Sequence, residues 1–255
     1  MSDPLHTFPT VCGQALRALA RYPSRVAFNW PGGSLTYAGA NELIGRIQRV
    51  FMQLRLAPGT RVAFLTANRA DTWCAGIAAQ LSRLAITWLH PLGSLDDQLF
   101  QIEDSEAQVL VVDADAFRDR GGDLAARVSS LKAIFTLGAA GYGIDLLAGI
   151  VAIGTASPRC LAGPDDIAIL NYTGGTTGKS KGALRTHRKL GGGTNAILSD
   201  FPGLPAAFEF FVFRPRDAYA AMTMLAAAGV LAGIYPAWRA ASLPVAETLH
   251  GEAIA

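Results

Sequence analysis

Apolar residues Leu43, Ile47, Val50, Phe51 and Leu54 recur three or four positions apart. That spacing puts them on one face of a helix predicted over residues 40–56, and Pro58-Gly59 ends it. A shorter helical pattern covers residues 14–21. Between the two, residues 26–30, a Pro31-Gly32-Gly33 turn and Leu35-Thr36-Tyr37 predict a hairpin, because glycine can take the positive φ of a tight reversal.

Downstream the pattern alternates. Residues 61–66, 85–89, 108–113 and 133–137 read as strands. Residues 71–83 read as a helix, a second helix starts at Ser94 as its cap, and a third lies near residues 124–131. Short apolar strands separated by helices predict an α/β fold, a mostly parallel sheet layered with helices. Residues 166–172 form one more strand, and a helix or second strand follows over residues 183–190. Near Phe201 the periodicity fades, and alanine, phenylalanine and proline take over.

Composition changes this picture little. The chain has 255 residues, 51% hydrophobic and 16% charged, a mean hydropathy of +0.27 and a net charge of +2. Such a balance provides no basic face for nucleic acid. Cys12, Cys74 and Cys160 stand far apart in sequence, with no CxxC pair, and suit buried thiols in a reducing compartment. The N-terminus lacks a basic and apolar leader pattern, so a cytoplasmic location is expected.

The candidate chemistry sits after the strand at residues 166–172. Thr173, Gly174, Gly175, Thr176, Thr177, Gly178, Lys179, Ser180, Lys181 and Gly182 follow it directly. Closely spaced glycines let successive N–H groups turn into one concavity that binds an anion, the threonines add hydroxyl donors, and the lysines add charge against a polyphosphate. A flexible glycine–threonine linker would need neither a buried strand before it nor two lysines. A Walker A loop is excluded by spacing, since it needs glycine five positions before the Gly of GK[ST] and Thr173 stands there.

Residues Tyr172 to Gly182 resemble the signature loop of the adenylate-forming superfamily, with Gly174 in place of a serine and Ser180 in place of a proline. Arg185-Thr186-His187 is similar to the Thr-His pair that follows it. Upstream, Ser34-Leu-Thr-Tyr37, Pro58-Gly-Thr-Arg-Val-Ala63, Asn68, His90-Pro91-Leu92 and residues 101–107 fall in family order. Ser82-Arg83-Leu84-Ala85 departs from it, lacking the glycine usual before that strand. The likeness covers about residues 8–200 and is closest to fatty-acid–CoA ligases.

The resemblance implies ATP-dependent activation of a fatty acid or other carboxylate to an acyl-adenylate, followed by thioester formation with CoA. It implies ATP, Mg²⁺ and CoA as cofactors. Thr173, Gly174, Gly175, Thr176, Thr177, Gly178, Lys179 and Lys181 would be the residues that hold the nucleotide phosphates. It assigns no catalytic or metal-binding residue here.

Motifs that the family carries further on are missing after Gly182: no Pro-x-x-His, Tyr-Gly-x-Thr-Glu or Thr-Gly-Asp occurs. Asp96-Asp97 and Asp165-Asp166 read as helix-start or surface residues. The expected organisation is therefore a partial AMP-binding domain over residues 1–200 and a divergent alanine-rich tail over residues 201–255. Within the tail, residues 218–238 carry no charge over 21 positions. That length could span a bilayer, but alanine dominance, Thr223 and Pro236 favour a poorly packed soluble helix. Two functional readings follow: a fatty-acid–CoA ligase that retains some activity, alone or with a partner supplying the missing half, or a non-catalytic fragment, even an out-of-frame product, that at most binds nucleotide phosphates.

Overall fold

The computed structural model describes residues 10–154, 157–173 and 180–191. Helix α1 (Val11–Arg21) is followed by the antiparallel pair β1 (Val26–Trp30) and β2 (Gly33–Thr36), then by α2 (Tyr37–Gln53). Next come β3 (Arg61–Leu65), α3 (Ala70–Leu81), β4 (Ala85–Trp88), α4 (Leu95–Asp104), β5 (Ala107–Asp113), α5 (Ala114–Arg127) and β6 (Ala133–Leu137). Strand β7 (Ile144–Asp145), the short α6 (Leu146–Gly149) and a 3₁₀ turn (Ile150–Ala152) lead to β8 (Ile167–Thr173) and β9 (Lys181–Thr186).

Seven strands form one sheet in the order β7-β6-β5-β3-β4-β8-β9, and every pairing is parallel except β8 with β9. The α/β, mostly parallel architecture agrees with the pattern of apolar runs. Side chains alternate across each strand. Val62, Phe64, Val109, Val111, Phe135 and Leu137 pack with Ile44, Ile47 and Phe51 of α2 and Cys74, Ala78 and Leu81 of α3 on one face. Ala63, Leu65, Leu110 and Val112 pack with Ile102 of α4, Leu124 of α5 and the adjoining Val128 on the other. Helices thus cover both faces, which is why β3 and β5 read as continuous apolar runs.

Caps set several boundaries that periodicity alone places differently. Helix α2 begins at Tyr37 rather than near residue 40, because Thr36 Oγ1 accepts from the Gly39 N–H at 3.1 Å. Ser94 caps α4 as expected, accepting from Asp97 N–H at 3.1 Å, and Asp96 and Asp97 lie in that helix's first turn. Helix α5 begins ten residues before the predicted one, at Ala114 instead of near residue 124, with Asp113 as its cap. In the first hairpin Gly32 takes φ 90°, the conformation the turn requires.

Strands β3 and β5 are neighbours whose following helices lie on opposite faces of the sheet. A crevice opens at the carboxyl ends of strands with that arrangement. Here an ion network joins the ends of the two strands. Asp113, 1% exposed, accepts from Arg69 Nη1 at 3.0 Å, and Arg69 also meets Asp71 at 2.8 Å and Asp115 at 2.9 Å.

Candidate nucleotide-phosphate site

The candidate loop is the connection between β8 and β9. Strand β8 runs parallel to β4, so it delivers Thr173 to the same edge of the sheet as the carboxyl ends of β3 and β5. The chain then returns antiparallel, with Tyr172 opposite Gly182 and Thr173 opposite Lys181. The segment after the loop is thus a strand over Lys181–Thr186, with residues 187–191 helical after it. Thr173 Oγ1 donates to the Lys181 carbonyl at 3.4 Å and closes the base of the loop.

Among the expected phosphate-binding residues, the structure brings Thr173 and Lys181 together at this base. Gly174, Gly175, Thr176, Thr177, Gly178 and Lys179 lie outside the described residues. Both Thr173 and Lys181 are exposed, and among the described residues Lys181 has no carboxylate partner.

Side chains around the hairpin fix its direction. Tyr172 donates its hydroxyl to Asp104 Oδ2 at 2.6 Å and sets its ring edge-on to Phe100. Burial, followed by the bond to the Asp104 carboxylate, pushes the Tyr172 phenol well above its ordinary range. Gly182 is needed for close approach: a Cβ there would lie 2.9 Å from Leu170 Cδ1 and 3.3 Å from the Tyr172 ring.

At the opposite end of the hairpin two ion pairs anchor the strands. Arg83 donates to both oxygens of Asp166, at 2.9 and 3.0 Å, and Arg188 does the same to Asp165 at 2.9 Å. Asp165 and Asp166 are therefore surface staples, in keeping with the sequence reading. Arg83 is the residue in the segment that departs from the family pattern, and its backbone takes φ 64°. Its partner could not be found from spacing, since 83 positions separate them. His187 is fully buried, and among the described residues neither ring nitrogen has a hydrogen-bond partner. Burial lowers its pKa, against the opposing charge of Asp166.

The cysteines differ from expectation. Cys12 and Cys74 are buried, but Cys160 is exposed, and its Sγ lies 3.7 Å from that of Cys12. The chain path, invisible to local spacing, brings α1 against the segment before β8.

A family model described as AMP-binding enzyme matches residues 16–243. The chain belongs to that family. The AMP-binding match takes in residues 201–243, beyond the point near residue 200 where the motif-level likeness runs out. Similar proteins include the medium/long-chain-fatty-acid–CoA ligase FadD8 of Mycobacterium tuberculosis, 30% identical over 222 residues, which are 84% of this chain and 39% of that protein. Another is the 3-oxocholest-4-en-26-oate–CoA ligase of Rhodococcus rhodochrous, 28% identical over 196 residues, 72% of this chain and 35% of that one. Among solved structures, ATP-bound MatB from Rhodopseudomonas palustris superposes with a TM-score of 0.60 at 26% identity, covering 74% of this chain and 37% of that one. The chain thus spans less than two-fifths of each of these three relatives.

The membrane reading of residues 218–238 and the phenylalanine-rich residues 208–213 fall outside the described residues. Among the described residues, no helix is long and apolar enough to cross a membrane.

Proposed function

We propose that this chain supplies the nucleotide-phosphate-binding part of a carboxylate-activating acid–thiol ligase of the fatty-acid–CoA ligase type. One observation carries the reading: the antiparallel return of β8 into β9, which brings Thr173 and Lys181 together at the two ends of a glycine- and threonine-rich run. The likeness to FadD8 supports a fatty acid as the carboxylate.

In this reading Thr173 through Lys181 hold the β- and γ-phosphates of ATP while the carboxylate attacks the α-phosphorus. Lys181 supplies charge at the base of the loop. Its place on β9, paired along β8 and tied at the far end through Arg188 to Asp165, fixes where that charge stands. Such catalysis is largely positioning and charge neutralisation, so one loop does not complete it. Among the described residues no group of three His, Cys, Asp or Glu side chains could hold a metal ion. Mg²⁺, which the family implies, would arrive on the nucleotide phosphates.

The relatives carry further sequence, and these 255 residues lack the family's later motifs. By themselves they bind nucleotide phosphates without turning over. The second reading, a ligase completed by a partner chain, needs that partner to provide the adenine, ribose and acyl contacts. ATP–pyrophosphate exchange with medium- and long-chain fatty acids distinguishes the two. The isolated chain is expected to give no exchange above a Lys181→Ala control, and exchange above that control contradicts the non-catalytic reading.

A further inference from the structure

Cys12 and Cys160 lie 148 positions apart in sequence, yet their sulfurs are in contact at 3.7 Å. The contact is held from several directions. Gln48, almost fully buried on α2, grips the backbone of the neighbouring Arg159, donating to its carbonyl at 2.7 Å and accepting from its N–H at 2.9 Å. Leu161 N–H donates to the Leu81 carbonyl at 3.0 Å. Backbone bonds on both sides of Cys160 thus fix its position against α1.

Its sulfur sits at the N-terminal end of that helix, 3.4 Å from the hydroxyl of the cap residue Thr10. Unpaired N–H groups at a helix start favour a thiolate. The Cys12 hydrogen bond is the largest influence on Cys160 and, with the Thr10 bond, lowers its pKa to about 6, against the opposing effects of burial and of Asp166. The same contact and burial raise Cys12. An exposed, easily ionised thiol beside a buried second thiol is the arrangement of a redox-sensitive pair. Cys74 is buried like Cys12, with its thiol pushed up by desolvation, but among the described residues it has no sulfur neighbour.

We propose that Cys160 and Cys12 form an oxidation-sensitive dithiol, which a hydroperoxide converts to an intramolecular disulfide tying α1 to the segment that enters β8. The Cys160 thiolate attacks one peroxide oxygen, forming an S–O bond and breaking the O–O bond. The leaving hydroxide, or the alkoxide of an alkyl hydroperoxide, takes a proton and departs as water or as the alcohol. Cys12, giving up its proton, then attacks Cys160 Sγ; the S–S bond forms, the S–O bond breaks and a water leaves. Two electrons pass from the two sulfurs to the peroxide. Closing from 3.7 Å to the about 2.0 Å of a disulfide brings the sulfurs together by roughly 1.7 Å. Thiol reductants reverse the step.

The test is hydrogen peroxide treatment of the reduced full chain, followed by non-reducing digestion and mass spectrometry. The expected product is a Cys12–Cys160 linked peptide, lighter by two hydrogens than its parts and released by dithiothreitol, with Cys74 still reduced. In Cys12→Ser, oxidation should stop at a Cys160 sulfenic acid that dimedone traps. In Cys160→Ser, a change at an exposed position that keeps the fold, Cys12 should resist the same exposure. An absent Cys12–Cys160 link in wild type, or equal oxidation of Cys12 in Cys160→Ser, overturns the proposal. Those two measurements decide it even where Cys12→Ser fails to fold.

Discussion

Asp166, at the entrance of β8, accepts from both Nε and Nη2 of Arg83, at 2.9 and 3.0 Å, and so ties that strand to the turn after α3. Asp166 also accepts from the Gly163 N–H at 2.8 Å. The Arg83 bond, and to a lesser degree the Gly163 bond and the Arg83 and His187 charges, hold its carboxyl below the usual carboxylate range. A carboxyl whose folded pKa is depressed stabilises the fold above its unfolded value, near 3.8, and the contribution is lost as pH falls through the folded value.

Asp166→Asn is therefore expected to unfold at lower urea than wild type at about pH 7, with the gap narrowing below about pH 4. Urea midpoints across that range check it. A gap that stays constant with pH would mean that the carboxylate charge contributes nothing.

A second prediction concerns Asp113. It is 1% exposed, accepts from the Asp115 N–H at 3.0 Å and the Ala116 N–H at 3.4 Å as the cap of α5, and pairs with Arg69. Asp113→Ala removes the cap and leaves the Arg69 guanidinium short of one buried partner. The expected loss is about 2–4 kcal/mol in urea unfolding. Asp113→Asn, which can still cap, should lose less. A change in Asp113→Ala within about 0.5 kcal/mol of wild type would show the network to be incidental.

The buried strands were legible because helices on both faces force continuous apolar runs such as Val109 to Val112. Helix α5 was only half legible. Gly121 and Gly122 interrupt its pattern, and glycine is a poor helix former. Gly121 is there because a side chain would collide with Tyr142 Oη and Val112, a constraint that only the packed structure displays. Strand β7, two residues long, is too short to carry a period.

The site divides in the same way. A glycine-, threonine- and lysine-rich run after an apolar strand marks out Thr173 and Lys181 in the sequence, and their pairing across β8 and β9 is a feature of the fold. The supports of that strand were not legible. Arg83, Arg188 and Gln48 act on partners brought near by the sheet order, with no local signature. The Cys12–Cys160 contact was hidden for the same reason.

The central claim is that the loop from Thr173 to Lys181 binds polyphosphate. Titration of the full chain with ATP and with AMP, in wild type and Lys181→Ala, tests it most directly. Wild type should bind ATP more tightly than AMP, with affinity falling as salt rises. Lys181→Ala should weaken ATP binding by about ten- to a hundredfold, the loss of one charge-assisted contact. Equal affinity for ATP and AMP, or an unchanged Lys181→Ala, would contradict the account.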